Sequence, residues 1–172
     1  CMSEWEQIVP KVKPEAEFLE IATDFGDPME IFREAISNAY DHHATQIRIN
    51  IFVDDSSGDS CLAIELDDNG EGMSKERLMN NFWDLGNSSS KSDKEKIGEK
   101  GHGTKIYLRS KYIQVITRHE TGSFESICEN PFALLNAECL PAPKIRQIEA
   151  NGSHGTYIRI EDYNKSERSR YL

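Results

Sequence analysis

The sequence has 172 residues, 30 of them acidic and 20 basic, for a formal charge of −10. This length fits one domain of ordinary size, and 37% hydrophobic residues are enough for one core. A mean hydropathy of −0.62 and the lack of any apolar run near the roughly 20 residues of a spanning helix exclude a helical membrane protein, and the net acid argues against unaided nucleic-acid binding. The four cysteines, Cys1, Cys61, Cys128 and Cys139, include no close C-x-x-C pair. With no signal peptide or lipidation motif at the N-terminus, the thiols are expected to be reduced and the compartment cytoplasmic. Cys1 ahead of Met2 reads as an addition to a natural start and carries no argument.

Residues 1–13 read as a polar N-terminal extension with Trp5, Ile8 and Val9 as packing residues. The pattern from Pro14 to Phe25 is helical, with Phe18, Leu19 and Ile21 on one side. Gly26 ends it, Asp27 and Pro28 form a start signal, and Met29 to about His42 is a second helix. Ile47, Ile49, Ile51 and Val53 alternate as in a strand, and Cys61–Asp67 returns as its hairpin partner. Ser74 opens a short helix over Lys75–Trp83. Residues 86–101 are too polar and glycine-rich to bury a core, which predicts a loop or mobile lid. Thr104–Ser110 is a short apolar helix, and Tyr112–Arg118 and Ser123–Glu129 are strands about a turn. Residues 130–143 are expected to be irregular, and Lys144–Ile148 and Thr156–Glu161 to be the last strands. The order predicts an α+β chain, one domain over 1–172 with helices on one face of a mixed, mostly antiparallel sheet.

Four short motifs carry chemistry. Offsets of four and three place Glu34, Asn38 and Asp41 on one helical stripe. A carboxylate one turn from an amide oxygen can orient and deprotonate a water beside a Mg²⁺ ligand; the alternative is a solvated polar face. Asp68-Asn-Gly70-Glu-Gly72-Met73 follows a strand. Its glycines allow close approach to a planar ligand, and its acid can accept from an exocyclic amine such as that of adenine. The alternatives are a plain turn or a calcium loop, and the latter lacks its further acidic ligands. In Gly98-Glu-Lys-Gly101-His102-Gly103-Thr104-Lys105, backbone N–H groups before a helix can cradle phosphate. The reversed Thr-Lys order and the polar stretch ahead of it argue against a G-x-x-x-x-G-K-[ST] loop, and a lid hinge is the alternative. Gly155-Thr156 opens a strand, where the hydroxyl can reach a base through water or simply end a turn.

Taken together and in this order, the motifs resemble those of the GHKL ATPases: gyrase, the heat-shock chaperone, histidine kinases and MutL. The N-box resembles Glu34-x-x-x-Asn38-Ala-x-Asp41, the glycine boxes resemble Asp68-x-Gly70-x-Gly72-Met73 and Gly98-x-x-Gly101-x-Gly103, and Gly155-Thr156 resembles the last box. The resemblance runs from about Met29 to Glu161. It is similar on its MutL and MORC side through Asn38-Ala-Tyr-Asp41-His-His-Ala44-Thr45 and the lid entry Leu85–Lys91.

The resemblance implies the Bergerat ATP-binding fold, a two-layer α/β sandwich with a mobile ATP lid over 86–101. It implies ATP and Mg²⁺ as cofactors. Glu34 would be the general base, Asn38 the Mg²⁺ ligand, and Asp68 the adenine reader with Thr156 assisting through water. Gly70, Gly72 and Met73 would shape the pocket, with Asp41 on the adenine or ribose side. Gly98, Gly101, His102, Gly103 and Thr104 would surround phosphate, with Ser90, Lys91 and Lys105 as further partners. It further implies slow hydrolysis driving a conformational or dimerisation switch, a nucleotide-dependent homodimer, and a downstream transducer domain outside this chain. A histidine-kinase-like catalytic domain and a nucleotide-binding interaction module without useful hydrolysis are the alternatives.

Overall fold

The computed structural model describes residues 4–8, 29–83, 103–149 and 151–163. The helix expected over 14–25, the start signal at Asp27 and Pro28, and the lid segment 86–101 lie outside the described residues. So do Ser90, Lys91, Gly98, Gly101 and His102.

Seven strands form one sheet: β1 (Glu6–Gln7), β2 (Ile47–Asp54), β3 (Cys61–Asp68), β4 (Tyr112–His119), β5 (Gly122–Glu129), β6 (Lys144–Ile148) and β7 (Gly155–Glu161). Their order is β1-β6-β5-β4-β7-β3-β2, and every pairing is antiparallel. The expected α+β class holds. β2 and β3 form the predicted hairpin, and β4, β5 and β6 form a meander. β7 does not continue that meander. It enters between β4 and β3 and joins the two halves of the sheet. Its Ile158 and Ile160 are buried, and a strand with this much apolar surface is satisfied between two neighbours rather than at an edge.

Helix α1 (Glu30–Asp41) packs its Ile31, Phe32, Ala35 and Ala39 against the sheet. These positions recur at helical spacing, which is why one face is apolar. The helix ends in a Schellman turn: His43 is left-handed at φ 58, its N–H donates to the Tyr40 carbonyl, and the Ala44 N–H donates to that of Ala39. The turn sends the chain directly into β2. Ser74 caps the one-turn helix α2 (Lys75–Arg77) by accepting from the Arg77 N–H at 3.2 Å. The next turn, Leu78–Phe82, widens to π geometry, where the sequence suggested uninterrupted helix. Gly103–Leu108 is a 3₁₀ turn.

Two elements escaped the sequence pattern. Helix α3 (Pro131–Asn136) lies in the stretch expected to be irregular, with Asn130 left-handed at its N-cap and Pro131 in its first turn. Six residues are too few for a periodicity to show. β1 is two residues of the polar extension, paired with β6 through Glu6 opposite Ile145.

The core lies between the helices and one sheet face. Ile64, Ile113 and Ile160, from three adjacent strands, are wholly buried there. The Trp83 ring is buried, and its Nε1–H donates to Ser126 Oγ at 2.9 Å, which satisfies the one polar atom that the ring carries in. The alternating apolar residues of β2 are only partly covered. Ile49, Ile51 and Val53 are 37%, 48% and 60% exposed because β2 is an edge strand. The opposite sheet face carries ion pairs, including Arg159 with Asp54 at 2.5 Å and Glu161 at 3.0 Å. Cys61, Cys128 and Cys139 are free. No described helix is long and apolar enough to cross a membrane.

Candidate functional site

Strand register builds the floor of the site. Ile47 pairs with Asp68, Asp68 with Thr156, and Thr156 with Thr117, so residues from four strands stand in one row across the sheet. Leu66 and Ile158 stand in the next row, also paired with each other. Helix α1 crosses above and contributes Glu34, Ala35, Asn38 and His42 to the wall of a single cavity. Met73, Arg77, Asn81 and Phe82 close one side, and Gly103 and Thr104 another.

The turn after β3 is held by backbone contacts that exclude larger residues. The Gly70 N–H donates to Asp68 Oδ1 at 2.9 Å, and the Glu71 N–H donates to the His42 carbonyl at 2.9 Å. Gly72 is left-handed at φ +73, and a Cβ there would lie 2.2 Å from the Arg118 carbonyl oxygen. This close approach lets the Met73 N–H donate to Thr117 Oγ1 at 2.7 Å. Thr117 Oγ1 in turn lies 3.2 Å from Thr156 Oγ1. Gly155 is equally constrained, with a Cβ position 2.2 Å from the Asp68 carbonyl oxygen. A Gly72→Ala variant should lose roughly 2–4 kcal/mol of stability from strain and displaced backbone. Urea unfolding of the variant beside wild type measures it; an unchanged midpoint would show that the turn relaxes freely.

Electrostatics distinguishes the carboxylates. Burial raises the pKa of Asp68, against the lowering effect of hydrogen bonds from the Gly70 and Thr156 backbones. Burial also raises that of Glu34, opposed by its hydrogen bond with Asn38 and reinforced by the nearby Asp41. The Glu34 carboxylate reaches toward the glycine turn, its Oε1 4.0 Å from where a Cβ on Gly103 would be. The Thr104 hydroxyl donates to the Phe82 carbonyl, which ties the 3₁₀ turn to the π turn across the cavity.

Of the residues singled out in the sequence, Glu34, Asn38, Asp68, Met73, Gly103, Thr104 and Thr156 line this one cavity. Gly70 and Gly72 shape its turn from behind. Asp41 is exposed at the end of α1 and is not part of the lining, nor is Lys105. The charge of Asp41 instead acts on Glu34. Sequence reasoning missed His42, Arg77 and Asn81. His42 directly follows the Asn38–Asp41 stripe, and Arg77 and Asn81 are four apart beyond Ser74, so helical spacing offered a faint signal for the pair.

Among the described residues, no group of three or more His, Cys, Asp or Glu could hold a metal by itself. The Asn38 amide and the Glu34 carboxylate supply hard oxygens beside each other. This sparse set fits Mg²⁺ completed by phosphate and water, the usual mode for that ion.

A family model described as histidine kinase-, DNA gyrase B-, and HSP90-like ATPase matches residues 28–156. No curated protein matches the chain.

Proposed function

Because the chain belongs to the family of histidine kinase-, DNA gyrase B- and HSP90-like ATPases, we propose that it binds ATP with Mg²⁺, hydrolyses it slowly to ADP and phosphate, and couples the nucleotide to a conformational or dimerisation switch. The observation that supports this reading is convergence. Seven residues from four motifs spread over more than 120 positions line one cavity with two half-buried carboxylates.

In this reading Asp68 accepts a hydrogen bond from the adenine amine, and Thr156 assists through water. Met73 packs against the base. The Gly103 and Thr104 amides meet phosphate, with Lys105, Ser90, Lys91, Gly98, Gly101 and His102 as further phosphate neighbours. Asn38 would hold Mg²⁺, which when bound with the nucleotide supplies neutralisation of phosphate charge. Glu34 orients a water in line with the γ-phosphorus and takes its proton at a carboxylate oxygen as the new P–O bond forms and the bond to the ADP oxygen breaks. Burial suits Glu34 to that work, because a raised pKa makes the ionised carboxylate a stronger base near neutral pH. The MutL and MORC side of the family remains the branch favoured by the Asn38–Thr45 pattern. With a charge of −10, contact with nucleic acid is assigned to partners or other domains rather than to this one.

Calorimetric titration of the full chain with a non-hydrolysable ATP analogue, with and without Mg²⁺, tests binding; phosphate release tests turnover. Mg²⁺-dependent binding near the micromolar range (about 8 kcal/mol) with slow phosphate release is expected. Absence of binding even with Mg²⁺ present would defeat the reading. Labelled γ-phosphate recovered on a polypeptide would replace hydrolysis with a kinase-type transfer, and tight binding without release would favour an interaction module.

A further inference from the structure

His42 stands at the C-terminal end of α1, one residue past the Glu34–Asn38–Asp41 stripe, and lines the cavity. It is 8% exposed, and its Nδ1 is buried without a hydrogen-bond partner. Its position is fixed at three points. The His42 N–H donates to the Asn38 carbonyl at 3.1 Å, its carbonyl accepts from Glu71, and the Schellman turn follows it at once. A Cβ on Gly70 would lie 3.1 Å from the His42 Cβ, so the side chain starts against the same turn that carries Asp68. Burial, then the Arg77 guanidinium, holds the imidazole below its ordinary pKa.

A neutral imidazole has one N–H and one lone pair. An N–H sealed at Nδ1 without an acceptor costs more than a lone pair there. The proton therefore belongs on Nε2, the nitrogen left to meet a ligand. A packing residue at this position needs no nitrogen at all, and the ring stands in the cavity wall with its Nδ1, not its Nε2, among the buried unpartnered atoms.

We propose that His42 is a base-reading residue, donating from Nε2–H to one of the two ring nitrogens that flank the adenine 6-amine, N1 or N7, while Asp68 accepts from the amine itself. Together the two side chains present an acceptor and a donor side by side. Adenine matches that pair. Guanine turns a carbonyl oxygen toward the carboxylate and, on its N1 flank, a donor toward a donor. The effect is selection for ATP over GTP. This inference rests on the ATP-binding reading above.

The test uses the full chain, titrated with the β,γ-imido analogues of ATP and GTP. The variants are His42→Phe, which keeps a flat ring without nitrogen, His42→Gln, which keeps a donor, and Asp68→Asn. His42→Phe should bind the ATP analogue roughly tenfold more weakly, the worth of one hydrogen bond in a dry site, and its preference over the GTP analogue should narrow similarly. His42→Gln should stay within about threefold of wild type. Either 1-deaza-ATP or 7-deaza-ATP should show the same tenfold loss on wild type and no further loss on His42→Phe, which identifies the atom read. Unfolding midpoints of the ligand-free variants separate lost contact from lost fold. If His42→Phe and both deaza nucleotides bind like their references while Asp68→Asn still loses binding, the pocket stands and His42 reads nothing. If wild type binds neither nucleotide, both this inference and the ATP reading are overturned.

Discussion

An Asp68→Asn variant should bind ATP roughly 100-fold more weakly while remaining folded. Its carboxylate is the acceptor assigned to the adenine amine, and a hydrogen bond to a charged group in a buried site is worth about 1.5–3 kcal/mol. The asparagine is isosteric and can still accept from the Gly70 N–H through Oδ1, so the turn has no reason to collapse. Its amide nitrogen, however, faces the amine donor to donor. The fold itself should gain from the change. Burial raises the pKa of Asp68, so the native state binds its proton more tightly than the unfolded chain does. The stability that the protonated group contributes is complete below the ordinary carboxylate pKa and is lost as pH rises through the raised native value. At neutral pH the ligand-free wild type carries that loss and the asparagine variant does not. Titration calorimetry and melting curves at pH 5 and pH 7 check both parts. An asparagine variant that binds ATP as wild type does would remove Asp68 from base recognition.

Glu34→Gln should separate binding from turnover. Phosphate release is expected to fall by about 10²–10⁴-fold, the usual contribution of a positioned base, with ATP affinity within a few-fold of wild type. The glutamine can still share a hydrogen bond with Asn38 but cannot take a proton from water. In wild type, the rate should fall as pH drops through the raised pKa of Glu34, because only the ionised carboxylate accepts the proton. Single-turnover measurements across pH, on protein shown to be saturated with Mg²⁺–ATP, test this. A variant that hydrolyses at the wild-type rate would assign the base elsewhere. The same sign rule applies to stability: ligand-free Glu34→Gln should melt higher than wild type at neutral pH and lose that advantage in acid.

The sequence was most informative where chemistry and local geometry coincide. The helix over Glu30–Asp41 was legible because Ile31, Ala35 and Ala39 recur at its period, and the β2–β3 hairpin was legible from the alternation before Asp54 and the turn after it. Glu34, Asn38, Asp68 and Thr156 were legible as motif residues, yet their meeting was not. It depends on register: Asp68 faces Thr156 only because β7 inserts beside β3, a long-range choice that no local window records. The exposure of Ile49, Ile51 and Val53 was not legible for the same reason. Alternation reports a face, not whether the strand ends up at an edge. His42 escaped because a histidine after an acidic helix end has no local signature. What marks it is an unpartnered Nδ1 against a turn 28 residues away.

The late insertion of β7 also sets a timetable for synthesis. Until residue 161 has left the ribosome, β3 and β4 each present a bare edge along their length, and the Asp68–Thr156 row cannot exist. The nascent chain is therefore sticky until β7 emerges, and the row that the proposed nucleotide site needs is incomplete before that strand arrives. ATP can then act as a proofreader of sheet closure. It stabilises only chains whose seventh strand has docked, and a chain truncated before Gly155 should be recognised by chaperones or proteases whatever the quality of its α1 and β2–β3 halves.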